Sequence, residues 1–326
     1  AKDYCDKIIS ANVYELAKEP KNGYTGYQQL FMADNDENPE AMKEIILPIR
    51  QDGAKARSHG GSTMLINGTR CSGMPYYYQS NPWQCILARK DMVGKFIPGL
   101  DVVNADNDAC SKSYDKYLKD NGLDASKLTE ADILQMDEAL GASTKEILRK
   151  AGDDRALLYG GFAGGVRRLS PDKTIKSFFD GLSIVKWSNV RTDGAAAHGD
   201  NFCDTDIPLF RLGEIYLTRA EALYRLGDKQ GALKDIQKLQ ERANRINIAQ
   251  SVDLSYILDE WCREFYLEGR RRSDLVRFGL FTSSQYVWSF KGGQENGVGV
   301  DSHYNVYPVP ANEIAGNANL HQNPGY

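Results

Sequence analysis

Glu260, Arg263, Glu264 and Glu268 stand three and four residues apart, and Arg270, Arg271, Arg272, Asp274 and Arg277 follow at once. Paired carboxylates do acid–base work, most familiarly in the hydrolysis of glycosidic bonds. At helical spacing, however, opposite charges three and four apart form ion pairs. Arg271 or Arg277 can then bridge to a neighbouring helix through the planar guanidinium fork. The second reading is favoured, so this string is expected to hold the fold together and to catalyse nothing.

A different chemistry is written between Arg70 and Trp83, where Tyr76, Tyr77, Tyr78, Gln79, Asn81 and Trp83 crowd a loop containing Gly and Pro. Flat rings suit the C–H face of a pyranose, and Arg, Asn and Gln supply rim donors and acceptors for its hydroxyls. Consecutive tyrosines of an extended chain point to opposite sides, so one or two at most reach a common platform. The alternative is that these rings plug the loop onto the body of the protein. Trp187 sits in an alternating stretch and Trp261 on an apolar helical stripe, both marks of core. Trp288, ahead of a Gly-rich loop, stays a weaker ligand candidate.

Metal and nucleotide chemistry find little support. Asp34-x-Asp36-x-Asn38 begins like a calcium loop, but Pro39 occupies the place that needs Gly and no Glu falls at the twelfth position. Asp101, Asn104, Asp106 and Asp108 read better as a solvated loop. His59, His198, His303 and His321 lack ligand spacing, and no G-x-S-x-G, H-E-x-x-H or phosphate-binding Gly loop with Lys is present. Cys5, Cys71, Cys85, Cys110, Cys203 and Cys262 form no C-x-x-C pair. They read as buried thiols, although Cys71 and Cys85 could close a loop in an oxidising compartment. Asn67-Gly68-Thr69 fits the glycosylation pattern, a match that is often fortuitous. No cofactor and no metal is expected.

These groups must be positioned by a chain of 326 residues with 40 basic and 44 acidic side chains, a net charge of −4. The slight acidic excess argues against nucleic acid as the main partner, because phosphate binding needs a basic surface. Apolar content of 41% and charged content of 26% are globular values. No run reaches the length of a membrane span, and no signal peptide opens the chain at Ala1.

Lys2 to Ile9 reads as the end of a helix. From Tyr14 to about Gly99 the sequence is rich in Gly, Asn, Pro and Tyr, which predicts loops with short strands and a short helix over Ala88 to Phe96. Thr129-x-x-Asp132 resembles a capping box, Ser143 or Thr144 caps a further helix that stops at Gly152, and Tyr159 to Asp180 reads as strands and loops. From Asp206, as cap, with Pro208 in the first turn, helical spacing runs through Leu209, Leu212, Ile215, Tyr216, Ala220, Leu223 and Tyr224. Gly227-Asp228 breaks it, and a second helix carries Ala232, Leu233, Ile236 and Leu239. Ala220, Gly227 and Ala232 sit where a tetratricopeptide (TPR) unit puts small residues. One such unit cannot bury its own face, so further hairpins are expected outside this sequence. A third helix spans about Leu254 to Gly269.

Three stretches then carry a family resemblance. Asp206-Ile-Pro-Leu-Phe-Arg211-Leu-Gly-Glu214-Ile-Tyr216, the string from Glu260 to Gly279, and Tyr307-Pro-Val-Pro through Gln322-Asn-Pro-Gly-Tyr326 resemble, in order, motifs of the SusD/RagB family of surface nutrient-binding lipoproteins. Tyr27 to Glu40 and Asp153-Asp154-Arg155 are similar to it more weakly, and Ala318 departs from the family's usual Pro. The resemblance implies one mainly helical domain over residues 1–326, missing an N-terminal third that bears a signal peptide, a lipidated Cys and further hairpins. Residues 1–20 would end a helical hairpin, 21–205 form the loop-rich excursion that binds ligand, 206–285 the TPR-like helices, and 286–326 an irregular tail. It also implies a non-enzymatic function: capture of an oligosaccharide or polysaccharide at the outer-membrane surface and delivery to a SusC-like TonB-dependent transporter. The candidate ligand residues are Arg70, Tyr76, Tyr77, Tyr78, Asn81 and Trp83. Affinity on the order of micromolar to millimolar suits such an open site. A peptide-binding module of the same family and, further off, a glycoside hydrolase are the rival readings.

Overall fold

The computed structural model describes residues 1–57, 86–98, 107–160, 162–163, 166–167, 181–199 and 202–326. The chain divides into two compact units, Ala1–Glu264 and Phe265–Tyr326.

The first unit opens with α1 (Lys2–Ser10), followed by the short helices α2 (Gly26–Gln29) and α3 (Pro39–Met42). Thr25 and Gln28 close a capping box on α2, and Asn38 caps α3 with Pro39 in its first turn, so two turns of otherwise marginal length are fixed by local hydrogen bonds. β1 (Ile45–Ile49) leaves α3. Beyond it lie β2 (Leu87–Ala88) and α4 (Lys90–Val93), a single turn inside the region where the sequence predicts a longer helix. Three further helices follow: α5 (Asn107–Asp120), α6 (Glu130–Ala139) and α7 (Thr144–Ala151). The Thr129–Asp132 capping box forms as expected, Ser143 caps α7, and Gly152 ends it in the left-handed region at φ 56°.

The strands β3 (Leu158–Tyr159), β4 (Phe162–Ala163), β5 (Val166–Arg167) and β6 (Leu182–Ile184) are two or three residues long. β2, β6 and β3 form one antiparallel sheet with β6 in the middle. Leu158, Tyr159, Leu182 and Ile184 are buried there, which is why so little strand suffices: packing, not ladder length, holds it.

The expected helix from Asp206 begins later. Residues 207–211 form β7 (Ile207–Arg211), antiparallel to β1, and only then does α8 (Leu212–Arg225) start. Pro208 lies opposite Pro48 in that ribbon, where neither ring needs to donate to a ladder. Tertiary pairing with a strand some 160 residues away overrides a local pattern that read as helix. α9 (Lys229–Arg242) returns along α8, capped by Asp228, and α1 packs against α8. Leu217, Ala220, Ala232, Ile236 and Leu239 are buried in this helical hairpin. α10 (Leu254–Phe265) follows, with Ile257, Leu258 and Trp261 buried on its apolar stripe.

The second unit holds α11 (Arg271–Arg277), short 3₁₀ turns at Lys291–Gly293 and Ser302–Asn305, and α12 (Ala311–Gly316). Its C-terminal residues are clasped by side chains. The Gln322 amide accepts from Val309 N at 2.8 Å and donates to Val309 O at 2.9 Å, and Asn323 donates to Tyr307 O at 2.7 Å.

Candidate functional site

Glu264 stands at the centre of a buried charge network. Its Oε1 accepts from Arg211 Nη1 at 2.6 Å and from Arg242, and its Oε2 accepts from Arg155 Nη1 at 3.0 Å. Glu44, just ahead of β1, accepts from Arg211 at 3.0 Å and from Arg242 at 2.8 Å. Glu260, one turn before Glu264, accepts from Arg155 at 2.7 Å and from Arg263 at 2.5 Å. Arg155 also forks onto Asp153, at 2.9 and 2.8 Å. Side chains of Glu44, Arg155, Arg211, Glu260 and Glu264 have no exposure to solvent. The network thus ties α10 to β7, α9, the turn before β1 and the segment before β3. Gly213 is part of its geometry: a Cβ there would sit 2.6 Å from Arg211 Nη1 and 2.9 Å from Glu264 Oε1.

Burial pushes both carboxyls up, but the facing arginines outweigh it. Arg155 and Arg263 bring Glu260 down to about 2, and Arg242, Arg211 and Arg155 hold Glu264 well below the ordinary carboxylate range. A carboxylate so held has no proton to give and no path to a substrate. The string that resembles a pair of catalytic acids is a set of ion pairs, as its spacing predicts. The bridging arginines, however, are Arg155, Arg211 and Arg242, which no local spacing singles out. Arg277 pairs along its own helix with Asp274 at 2.9 Å.

Arg70, Tyr76, Tyr77, Tyr78, Asn81 and Trp83 lie outside the described residues, as do Cys71, Cys85, Asp101, Asn104 and Asp106. Cys5 and Cys203 are buried free thiols, and burial raises Cys203 to about 12, so it is inert at neutral pH. Trp187 is core: it packs edge-on against Phe31 with ring centres 5.0 Å apart. Trp261 is core too, its indole N–H donating to Glu221 at 3.2 Å.

Trp288 has a different setting. In the second unit it lines an open cleft of about 530 Å³ together with Arg272, Phe281, Tyr304, Tyr307 and Tyr326. The Arg272 guanidinium, projecting from α11, lies 3.9 Å from the Tyr307 ring centre and 4.8 Å from that of Phe281. Its Nη2 donates to Tyr304 O at 2.8 Å and Asn305 O at 3.2 Å, so the cation fixes the segment whose rings flank it. Phe281 and Trp288 tilt toward each other at 6.0 Å. Lys291, buried beneath Trp288 with its ammonium 4.8 Å from that ring, donates to Ser283 O at 2.5 Å and Tyr286 O at 2.6 Å. Tyr326 folds back, its hydroxyl donating to Val306 O at 2.8 Å and its ring edge meeting His303 at 4.7 Å. Gly325 permits that return at φ 97°, where a Cβ would strike His303 at 2.5 Å. Sequence reasoning reaches Trp288 but not Arg272, Tyr304, Tyr307 or Tyr326. The only local signal is the density of rings around the Pro-containing tail.

Asp52, His198 and Asp204 converge, with one potential ligand atom each inside 4.8 Å, a grouping that sequence spacing does not announce. Three of their four carboxylate oxygens already accept backbone N–H groups. Asp204 accepts from Gly53 N and His198 N, each at 2.8 Å, and Asp52 accepts from Ala54 N and Lys55 N. They act as loop staples, and no metal is assigned to them. Asp34 likewise accepts from Thr192 N at 2.9 Å, and Asn38 serves as a helix cap. Among the described residues, no helix is long and apolar enough to cross a membrane.

The described residues form helices joined by short strands, with a buried ion-pair network in the first unit and exposed rings in the second. The chain belongs to the SusD/RagB family: the SusD family model matches residues 43–326. It is 50% identical over 326 residues to the starch-binding protein SusD of Bacteroides thetaiotaomicron, which covers all of this chain and 55% of that protein. The chain therefore spans about half the length of the curated relative it matches. Among solved structures, a SusD-like protein from Bacteroides fragilis superposes with a TM-score of 0.57 at 18% identity, covering 100% of this chain and 62% of that one. Surface glycan-binding protein A of Bacteroides thetaiotaomicron in complex with laminarihexaose gives 0.53 at 18% identity, covering 98% and 58%. At such identities these structures speak for the shared fold.

Proposed function

We propose that this chain is the ligand-gripping portion of a surface nutrient-binding protein that captures an oligosaccharide or polysaccharide, an α-glucan of the starch type first among them. It leaves every glycosidic bond intact. Ring faces take up the C–H side of the sugars, and polar side chains at the rim bind hydroxyls, each contact weak in water and useful in sum. One observation carries this reading: half of all residues along the entire chain are identical to those of a protein named for binding starch. The locked state of Glu260 and Glu264 supports passive binding over hydrolysis. The aromatic loop of Tyr76, Tyr77, Tyr78 and Trp83, with Arg70 and Asn81, is the proposed platform. The intact protein would sit on the outer face of the outer membrane by an N-terminal lipid anchor and hand its cargo to a SusC-like TonB-dependent transporter. Titration calorimetry with maltoheptaose tests the proposal. Saturable heat that falls by roughly tenfold in affinity in Trp83→Ala or Tyr77→Ala is the expected result. No heat with any glucan, alongside retention of a peptide ligand, would replace the reading with the peptide-binding one.

A further inference from the structure

We infer that the cleft of the second unit is a sugar-binding subsite in its own right, separate in sequence from the loop of residues 70–83. The inference rests on the glycan reading above and adds a second place where that ligand is gripped. Three features of the cleft point to a pyranose.

Its walls are aromatic rings. Tyr307 is 68% exposed and is held on the Arg272 guanidinium, while Trp288 and Phe281 stand tilted across from each other. A volume of about 530 Å³ accommodates one or two hexose rings. Its cations are not seeking an anion as partner: Lys291 is spent on backbone carbonyls, and Arg272 is stacked between Tyr307 and Phe281. That disfavours a phosphate or carboxylate ligand, which would need a free charge. Finally, polar handles remain at the edge. Among the described residues, the Trp288 indole N–H, the Tyr304 and Tyr307 hydroxyls and the Nε–H of Arg272 have no hydrogen-bond partner. Apolar faces combined with a few unspent donors and acceptors match the two-sided chemistry of a sugar, whose C–H face is apolar and whose edge is hydroxylated. A purely apolar occupant, such as a helix from another polypeptide, would bury those four groups without satisfying them.

The test uses the 326-residue protein labelled with 5-fluorotryptophan, whose four positions are Trp83, Trp187, Trp261 and Trp288. Fluorine spectra are recorded during titration with maltoheptaose and, separately, laminarihexaose, with Trp288→Phe assigning its resonance. The buried Trp187 and Trp261 resonances report whether each sample is folded. The expected result is a saturable shift of Trp288 with at least one glucan, weakened roughly three- to tenfold in Tyr307→Ala while Trp187 and Trp261 stay in place. A shift of Trp83 with a silent Trp288 overturns the subsite and leaves the glycan reading standing. Silence of both toward both glucans overturns the two together. Concentration-dependent broadening of Trp288 without sugar, abolished by Tyr307→Ala, assigns the cleft to self-association and also overturns the subsite.

Discussion

The two units of this chain treat their most demanding side chains in opposite ways. In residues 1–264 the costly groups are charges, and they are inside: Glu44, Arg155, Arg211, Glu260 and Glu264 have no solvent exposure and satisfy one another. In residues 265–326 a cluster of rings is left outside: Tyr307 is 68%, Tyr304 47% and Tyr326 43% exposed. A buried charge with every partner in place is tolerated by the fold, but removing one partner strands the others in a medium that cannot solvate them. An exposed ring such as Tyr307 adds little to the unit's own core, so truncating it should leave the fold standing. On the proposed reading, the contrast separates what builds the molecule from what it offers to a ligand.

The sharpest way to break the contrast is to neutralise the hub. Glu264→Gln leaves Arg155, Arg211 and Arg242 around a neutral amide and should cost roughly 3 kcal/mol or more, read as a lower denaturant midpoint. An effect below about 1 kcal/mol would mean the network is not structural. Acid probes the same hub without mutation. Glu260 and Glu264 have folded pKa values depressed below their unfolded ones, so their contribution is complete above about pH 4.5. It is lost as pH falls toward about 2, the value to which Glu260 is brought. The gap in melting temperature between the wild type and Glu264→Gln should therefore narrow from pH 5 to pH 2; a constant gap contradicts the assignment. Gly213→Ala is a gentler wedge. Its methyl must displace Arg211 Nη1 from 2.6 Å and Glu264 Oε1 from 2.9 Å, at a cost of roughly 1–3 kcal/mol with glycan affinity of the folded protein unchanged.

How much of this could be read from the sequence differs by the range of the interaction. Helix ends are local, so the Thr129–Asp132 box, the Ser143 cap and the Gly152 stop were all legible. The charged string was legible as ion pairing, because Glu260 and Arg263 lie three apart on one helix. Its partners were not, since Arg155 is 109 residues from Glu264 and Arg242 is 198 from Glu44. The same blindness turned β7 into the start of a helix: Ile207 to Arg211 owe their extended form to β1, which no window around them contains. Trp187 and Trp261 were correctly placed in the core from their alternation and stripe. The cleft of Trp288 was legible only in part, because it takes a folded tail and Gly325 to bring Tyr326 near the rings from Tyr304 to Tyr307.

The division of labour itself is tested by measuring stability and sugar affinity together. Wild type, Glu264→Gln, Trp83→Ala and Tyr307→Ala are each melted, then titrated with maltoheptaose at a temperature where all are folded, and the oligosaccharide is recovered and sized. Glu264→Gln should melt earlier and bind as the wild type does, the two aromatic variants should melt as the wild type does and bind more weakly, and the recovered sugar should be full length. A folded Glu264→Gln protein that no longer binds, or maltoheptaose returned in shorter pieces by the wild type but not by that variant, would contradict it.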